Sequence, residues 1–349
     1  MKINYKGLEL ETIFYSEITN KEFSDLKNEY YSKPEIQTVV KEIKNCFNGN
    51  TTNTNITDYF YKDLMSKVTL YHSKFCIEDL FEHKPLLEVF VGKVKANEKV
   101  FPKNENLLRN IETAIRIGGK GICAKPSNFP LSTVLSVLKK YNENNNYYDF
   151  SCGWGVRLFG SLLRGINYHG TDPNYLLIER LNEFDKLVKG NVGIVSNLKT
   201  DIRCTGSEIY HSDWENKIGL AFSSPPYFYL EDYKIGNQSY KEGTSYKDWL
   251  ENYWDKTIKN CYKYLIDSGF LVINIKDFDK FKLVYDTKKI CERNGFVYVG
   301  NHTLDNIQRV KTNGELVDND EQILVFIKDC NVKEIKIEKN DQTSIFDFL

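Results

Sequence analysis

NYYDFSCGWGVRLFG, residues 146–160, joins a strand to a helix through a glycine loop. NYYDFS is a short aromatic and apolar run bounded by a turn, the pattern of a buried strand. GVRLFGSLLRG, residues 155–165, has the spacing of a short helix that stops at Gly165. Gly153 and Gly155 between them carry no Cβ, so the backbone there can turn tightly and lie against a ligand. The helix that follows offers unpaired N–H groups in its first turn. A Gly-x-Gly alone also occurs in ordinary tight connections, so its meaning depends on what surrounds it.

The alternation extends to both sides. PLSTVLSVLKKY (130–141) is an amphipathic helix, INYHGTDP (166–173) a second strand and YLLIERLNEFDKLVKG (175–190) a long helix. NKIGLAFSSPPY (216–227) is a strand that ends in prolines, and YKDWLENYWDKTIKNCYKYL (246–265) is a helix. GFLVINIKD (269–277), FKLVYDTKKICERNG (281–295), GFVYVGNHTL (295–304) and EQILVFIKD (321–329) read as strand, helix, strand and strand. Such alternation predicts an α/β fold: a doubly wound, mostly parallel sheet covered on both faces. Ligands of such sheets bind beyond the carboxyl ends of the strands, where the strand order reverses.

Residues 1–118 lack this rhythm and are expected to be mainly helical. EIQTVVKEIKNCF after Pro34 reads as a helix with Ile36, Val39, Val40, Ile43 and Phe47 on one side. NGNTTNTNITD (48–58) reads as a polar loop, and 76–95 and 105–117 as helices. Residues 119–330 form the expected catalytic domain, and 331–349 a flexible, Lys- and Glu-rich tail.

Of 349 residues, 41% are hydrophobic and 27% charged, which suits a globular protein. No apolar run approaches the ~20 residues of a membrane helix, and the N-terminal residues lack the apolar core of a signal peptide, so no membrane association is expected and the location is expected to be cytoplasmic. The eight cysteines (Cys46, Cys76, Cys123, Cys152, Cys204, Cys261, Cys291 and Cys330) are scattered. None shows metal-knuckle spacing, so no metal site is expected and the thiols are expected to be reduced. The net charge of −1 means that any nucleic-acid surface must be a local patch.

Two further features carry chemistry. Asp172 follows the glycine loop by about 20 residues at the end of the second strand, where a carboxylate can accept both hydroxyls of a ribose. Ser224-Pro225-Pro226-Tyr227 ends the apolar strand IGLAF. Prolines stiffen the chain, which would hold two acceptors, the Ser224 hydroxyl and the Pro225 carbonyl, beside an aromatic ring. A planar base with an NH2 group needs that combination.

The tetrapeptide resembles the (D/N/S)PP(Y/F/W) motif of methyltransferases that act on N6 of adenine or N4 of cytosine. Asp149-Phe150-Ser151-Cys152-Gly153-Trp154-Gly155 resembles the cofactor loop of that family, with Phe150 and Ser151 where Pro and Phe are common. KPSNFPL (125–131) resembles its preceding lysine–proline segment. Over roughly residues 120–330 the resemblance implies a Rossmann-like methyltransferase fold with a terminal antiparallel strand. It also implies S-adenosylmethionine as cofactor, contacted by Lys125, Pro126, Asp149 to Gly153, Gly155, Asp172 and Glu208. Ser224, Pro225, Pro226 and Tyr227 would form the catalytic group. The partner would be duplex DNA with a flipped base. Ser at the first position leans towards cytosine N4. RNA or a protein glutamine amide are alternative acceptors, and a catalytically inactive DNA-binding module is a third reading. Target recognition is expected from the N-terminal region, the loop after the tetrapeptide or the segment 300–320 with Arg309 and Lys311. Gln342, Ile345 and Phe346 in the tail resemble bacterial and phage peptides that dock on a replicative sliding clamp.

Overall fold

The computed structural model describes residues 2–96, 106–117, 121–233, 237–241, 243–302 and 321–328. Arg309, Lys311, Gln342, Ile345 and Phe346 lie outside them. The chain opens with an antiparallel hairpin of β1 (Lys2–Tyr5) and β2 (Leu8–Glu11). There follow α1 (Asn20–Tyr31), α2 (Ile36–Phe47), α3 (Thr54–Met65), β3 (Thr69–Leu70), α4 (Ile77–Glu82), α5 (Lys84–Lys95), α6 (Leu107–Arg116) and α7 (Leu131–Tyr141). The alternating part comprises β4 (Asn146–Asp149), α8 (Val156–Leu163), β5 (Asn167–Asp172), α9 (Tyr175–Asn191), β6 (Thr200–Cys204) and β7 (Ile218–Ser223). It continues with β8 (Glu231–Asp232), α10 (Tyr246–Trp249), a π turn (Leu250–Trp254), α11 (Asp255–Tyr264), β9 (Leu265–Ile275), α12 (Leu283–Arg293), β10 (Phe296–Asn301) and β11 (Gln322–Lys328).

These elements divide into two compact units. The described residues within Met1–Ile36, Thr57–Asn128 and Tyr229–Ile235 form the first, and those within Gln37–Ile56, Phe129–Phe228 and Gly236–Leu349 the second. The first unit is built on a buried cluster that includes Phe75, Phe81, Leu86, Phe90 and Ile111. The expected helix over 76–95 is broken at His83, because Pro85 cannot donate a helical hydrogen bond and starts a new first turn. The chain after the tetrapeptide returns to this unit, where β8 pairs with β3 through Leu70↔Glu231 and Thr69↔Asp232.

In the second unit, the buried face of α2 is Val39, Glu42, Ile43 and Cys46. Glu42 has a specific task. Its carboxylate accepts the N–H groups of Asn55 (3.3 Å) and Ile56 (2.8 Å), capping the positive end of α3. That cap is why α3 starts at Thr54, inside the polar run expected to be a loop.

The core of this unit is a seven-stranded sheet in the order β10-β11-β9-β7-β4-β5-β6. β6, β5, β4, β7 and β9 are parallel, and β11 runs antiparallel between β9 and β10. Every residue of β7 is buried, which explains its unbroken apolar run. From β4 the chain steps outward to β5 and β6, then to β7 and β9 on the other side. The right-handed rule for such crossovers assigns α8 and α9 to one face and α11 to the other. The strand order therefore reverses between β4 and β7. This is the doubly wound, mostly parallel α/β sheet expected from the sequence, with one antiparallel strand. β6 was not among the expected strands: TDIRC is a half-buried edge strand with one large aliphatic residue, Ile202, and shows no apolar alternation. Among the described residues no helix is long and apolar enough to cross a membrane, and no group of His, Cys, Asp and Glu could hold a metal.

Candidate active site

The carboxyl ends of four adjacent parallel strands bring the candidate residues together. β4 delivers Asp149 and the glycine loop, β5 delivers Asp172, β6 leads to Glu208 and β7 ends at Ser224. Parallel pairing sets their levels through Asp149↔Gly170, Asp172↔Cys204 and Tyr148↔Ala221. The Tyr147 hydroxyl donates to the Phe222 carbonyl at 2.7 Å, locking β4 to β7 just below the site.

Asp149 organises the loop. It is 0% exposed. One oxygen accepts the Ser151 N–H at 3.3 Å, and the other accepts Arg157 Nε at 3.0 Å and the Tyr168 hydroxyl at 2.9 Å. Burial by itself lowers the pKa of the Arg157 guanidinium, but Asp149 beside it outweighs that and raises it above the usual arginine value. The same guanidinium donates to the Ser151 carbonyl. A buried pair of this kind is costly to break, because one charge is left without a partner. Gly153 and Gly155 adopt φ of 54° and 73°, the left-handed region where a side chain is strained. Gly155 caps α8. The side chains of Phe150 and Cys152 point into the core, and burial pushes the Cys152 thiol up. What these two offer the site is backbone.

Asp172 is 9% exposed. One oxygen accepts the Asn174 N–H at 3.1 Å and the other the Gly153 N–H at 3.4 Å. Burial pushes its carboxyl up to about 6, with Asp149 adding to the shift and the two backbone donors and Arg157 opposing it. Each oxygen keeps a lone pair for a further donor. Past β6, Glu208 turns its carboxylate back over Gly206. The preceding Ser207 is tied to α11: its carbonyl accepts Asn260 Nδ2 at 2.9 Å, and its hydroxyl lies 2.8 Å from that of Thr257.

The tetrapeptide is fastened to the glycine loop, since the Ser223 hydroxyl donates to the Ser151 carbonyl at 3.2 Å. Strand register also gathers residues from β9 and the start of β11. Ser223 pairs with Ile273, and Gln322 with Ile275, so Ser224, Asn274 and Glu321 meet at one level. Tyr227 is 7% exposed. Its hydroxyl lies 3.1 Å from Ser224 Oγ, 3.0 Å from Glu321 Oε1 and 3.1 Å from the Asn274 carbonyl. Asn274 Nδ2 donates to Tyr227 Oη at 3.2 Å and to Ser224 Oγ at 3.4 Å. Pro225 is buried and Pro226 half-buried. Phe228, next in the chain, is held at φ 56° with its ring among Tyr240, Tyr246, Trp249 and Phe281. That conformation costs a non-glycine residue about 1–2 kcal/mol, offset here by aromatic packing.

Asp149, Ser151, Gly153, Gly155, Asp172, Ser224 and Tyr227 thus occupy neighbouring strand ends of the second unit. Lys125 and Pro126 belong to the first unit, where Lys125 pairs with Asp58 at 3.3 Å. Arg157, Ser223, Asn274 and Glu321 are additions that sequence reading missed. Only Arg157 left a faint signal, a cation shortly after the glycines.

No family model and no curated protein matches the chain. Solved structures do resemble it. One is a protein whose structure describes conversion of a disulfide bond into a thioacetal group during echinomycin biosynthesis, at 13% identity over 57% of this chain and 82% of that chain, TM-score 0.40. A SAM-dependent O-methyltransferase from Thermotoga maritima aligns at 13% identity over 58% and 66%, TM-score 0.37. A TehB-like SAM-dependent methyltransferase from Corynebacterium glutamicum aligns at 14% identity over 56% and 87%, TM-score 0.37.

Proposed function

We propose that the second unit transfers a methyl group from S-adenosylmethionine to the exocyclic amino group of a flipped DNA base, N4 of cytosine or N6 of adenine. The observation that carries the reading is the Ser223–Ser151 hydrogen bond of 3.2 Å, which joins an acceptor-bearing proline turn to a glycine loop at the point where strand order reverses.

The residues fit the cofactor. The two oxygens of Asp172 each hold one backbone N–H and retain capacity for a vicinal diol, and Glu208 supplies a second acceptor at the next strand end. The left-handed Gly153 and Gly155 let backbone approach a ligand that a side chain would keep away. When bound, the cofactor supplies an electrophilic methyl on a sulfonium. The protein's part is to bind, orient and accept. Ser224 Oγ and the Pro225 carbonyl take the two N–H bonds of the amine, which draws its lone pair out of conjugation and towards the methyl. Tyr227 supplies a ring at the base. Its hydroxyl contacts with Ser224, Asn274 and Glu321 hold that ring at one orientation. Alignment of nitrogen and methyl then supplies much of the rate. A base inside a duplex cannot reach such a site, so it must be extruded.

The test is partition of label. The purified protein, given S-adenosylmethionine labelled in its methyl group, is presented in parallel with duplex DNA, RNA and a protein extract. Label in DNA is expected. Label in RNA alone or in protein alone would replace the substrate, and label in none would leave a binding module.

A further inference from the structure

Resting on that reading, we propose that Ser224, Tyr227 and Glu321 form a proton relay that carries away the proton released when the amine is methylated. The hydrogen-bond inventory sets its direction. Asn274 Nδ2 has only protons to give, and it points at both Ser224 Oγ (3.4 Å) and Tyr227 Oη (3.2 Å). Both oxygens must accept from it, so each keeps its own proton for onward donation. Ser224 Oγ lies 3.1 Å from Tyr227 Oη, and Tyr227 Oη lies 3.0 Å from the Glu321 carboxylate and 3.1 Å from the Asn274 carbonyl; of these two acceptors only the carboxylate can take up a proton at neutral pH. The remaining lone pair of Ser224 faces the substrate N–H in the proposed complex.

The balance closes without any outside reagent. The nitrogen lone pair forms the N–C bond as the C–S bond breaks, leaving a neutral thioether and a cationic nitrogen. That nitrogen gives its proton to Ser224 Oγ. An alcohol cannot keep an added proton, so Ser224 passes its own to Tyr227, and Tyr227 passes its own to Glu321, which ends as a neutral acid. Glu321 acts through two other groups and never touches the base. It lies half-exposed at the start of β11, where it can return the proton to water.

Glu321→Gln and Tyr227→Phe separate this role from packing. Gln still accepts the Tyr227 hydroxyl but cannot be protonated, and Phe keeps the ring while cutting the relay. Single-turnover methylation of DNA is measured for the wild type, each variant and the double variant, with cofactor affinity and KM for DNA measured alongside. Glu321→Gln is expected to slow transfer by about 10²-fold, the usual share of acid–base assistance, with affinity and KM unchanged, and Tyr227→Phe, which also loses the contacts that orient the ring, by at least as much. The double variant should be no slower than Tyr227→Phe alone, since a cut relay is cut once. A Glu321→Gln protein as fast as wild type overturns the relay and leaves the methyltransferase reading intact, as do multiplicative losses in the double variant or a loss confined to KM. A wild type that methylates no DNA overturns both.

Discussion

At the residue scale, two carboxylates twenty-three positions apart in the sequence do opposite work (Asp149 and Asp172, joined through Gly153 and Arg157). Asp149 is neutralised by a buried guanidinium and shapes the loop. Asp172 has only partial hydrogen-bond compensation, and burial holds its carboxyl up at about 6. The sign follows directly. A ribose diol donates hydrogen bonds and so favours the ionised form. Cofactor affinity should hold at neutral pH and fall as the pH drops through about 6, approaching tenfold per unit well below it. Calorimetric titration of S-adenosylhomocysteine across this range checks it. Asp172→Asn should bind weakly and show no break near that pH. A wild-type affinity flat from neutrality down to about pH 5 would remove Asp172 from the ribose role. The sequence made the strand-end residues legible, because glycine, proline and aspartate at such ends have local meanings. It left Asn274 and Glu321 illegible and Arg157 only faintly marked, because their contacts are set by helix geometry and strand register. A buried Asn inside LVINI offers no periodic signal at all.

At the scale of elements, helices and strands with strong apolar periodicity were legible, and the departures share a cause in tertiary contacts. β6 has weak alternation because it lies at an edge. α3 starts early because Glu42 caps it from another helix. The helix 246–265 contains a π turn that sets Tyr253 and Trp254 inward, with Trp254 Nε1 donating to Thr287 Oγ1 at 2.9 Å. Packing between α7 and α8 gives a sharp prediction. A Cβ added at Gly160 would fall within the van der Waals shell of the Val134 side chain. In an exposed helix, Gly to Ala gains about 1 kcal/mol. Here overpacking, typically about 1–3 kcal/mol, should win, and Gly160→Ala should lose stability. Removing the obstructing methyl groups with Val134→Ala in the same protein should recover part of the loss relative to the sum of the single changes. Urea midpoints at unchanged m-value measure both. A Gly160→Ala protein more stable than wild type would contradict the described α7–α8 contact.

At the scale of the whole molecule, one unit supplies a sheet with the candidate site at its switch point, and the chain leaves that unit directly after the tetrapeptide to pair β8 with β3 in the other. The alternation of strands and helices made the sheet readable from sequence, whereas the return of residues 229–233 to the first unit rests on a two-residue pairing too short to carry a pattern. The near-neutral charge of the chain means that affinity for a polyanion must come from local patches and fall with salt. What the second unit does with a base decides the account. DNA incubated with the protein and S-adenosylmethionine, digested to nucleosides and analysed by mass, should contain N4-methylcytosine or N6-methyladenine. A methyl group found instead on a base carbon, or only unmodified nucleosides from DNA of every tested sequence, would contradict it.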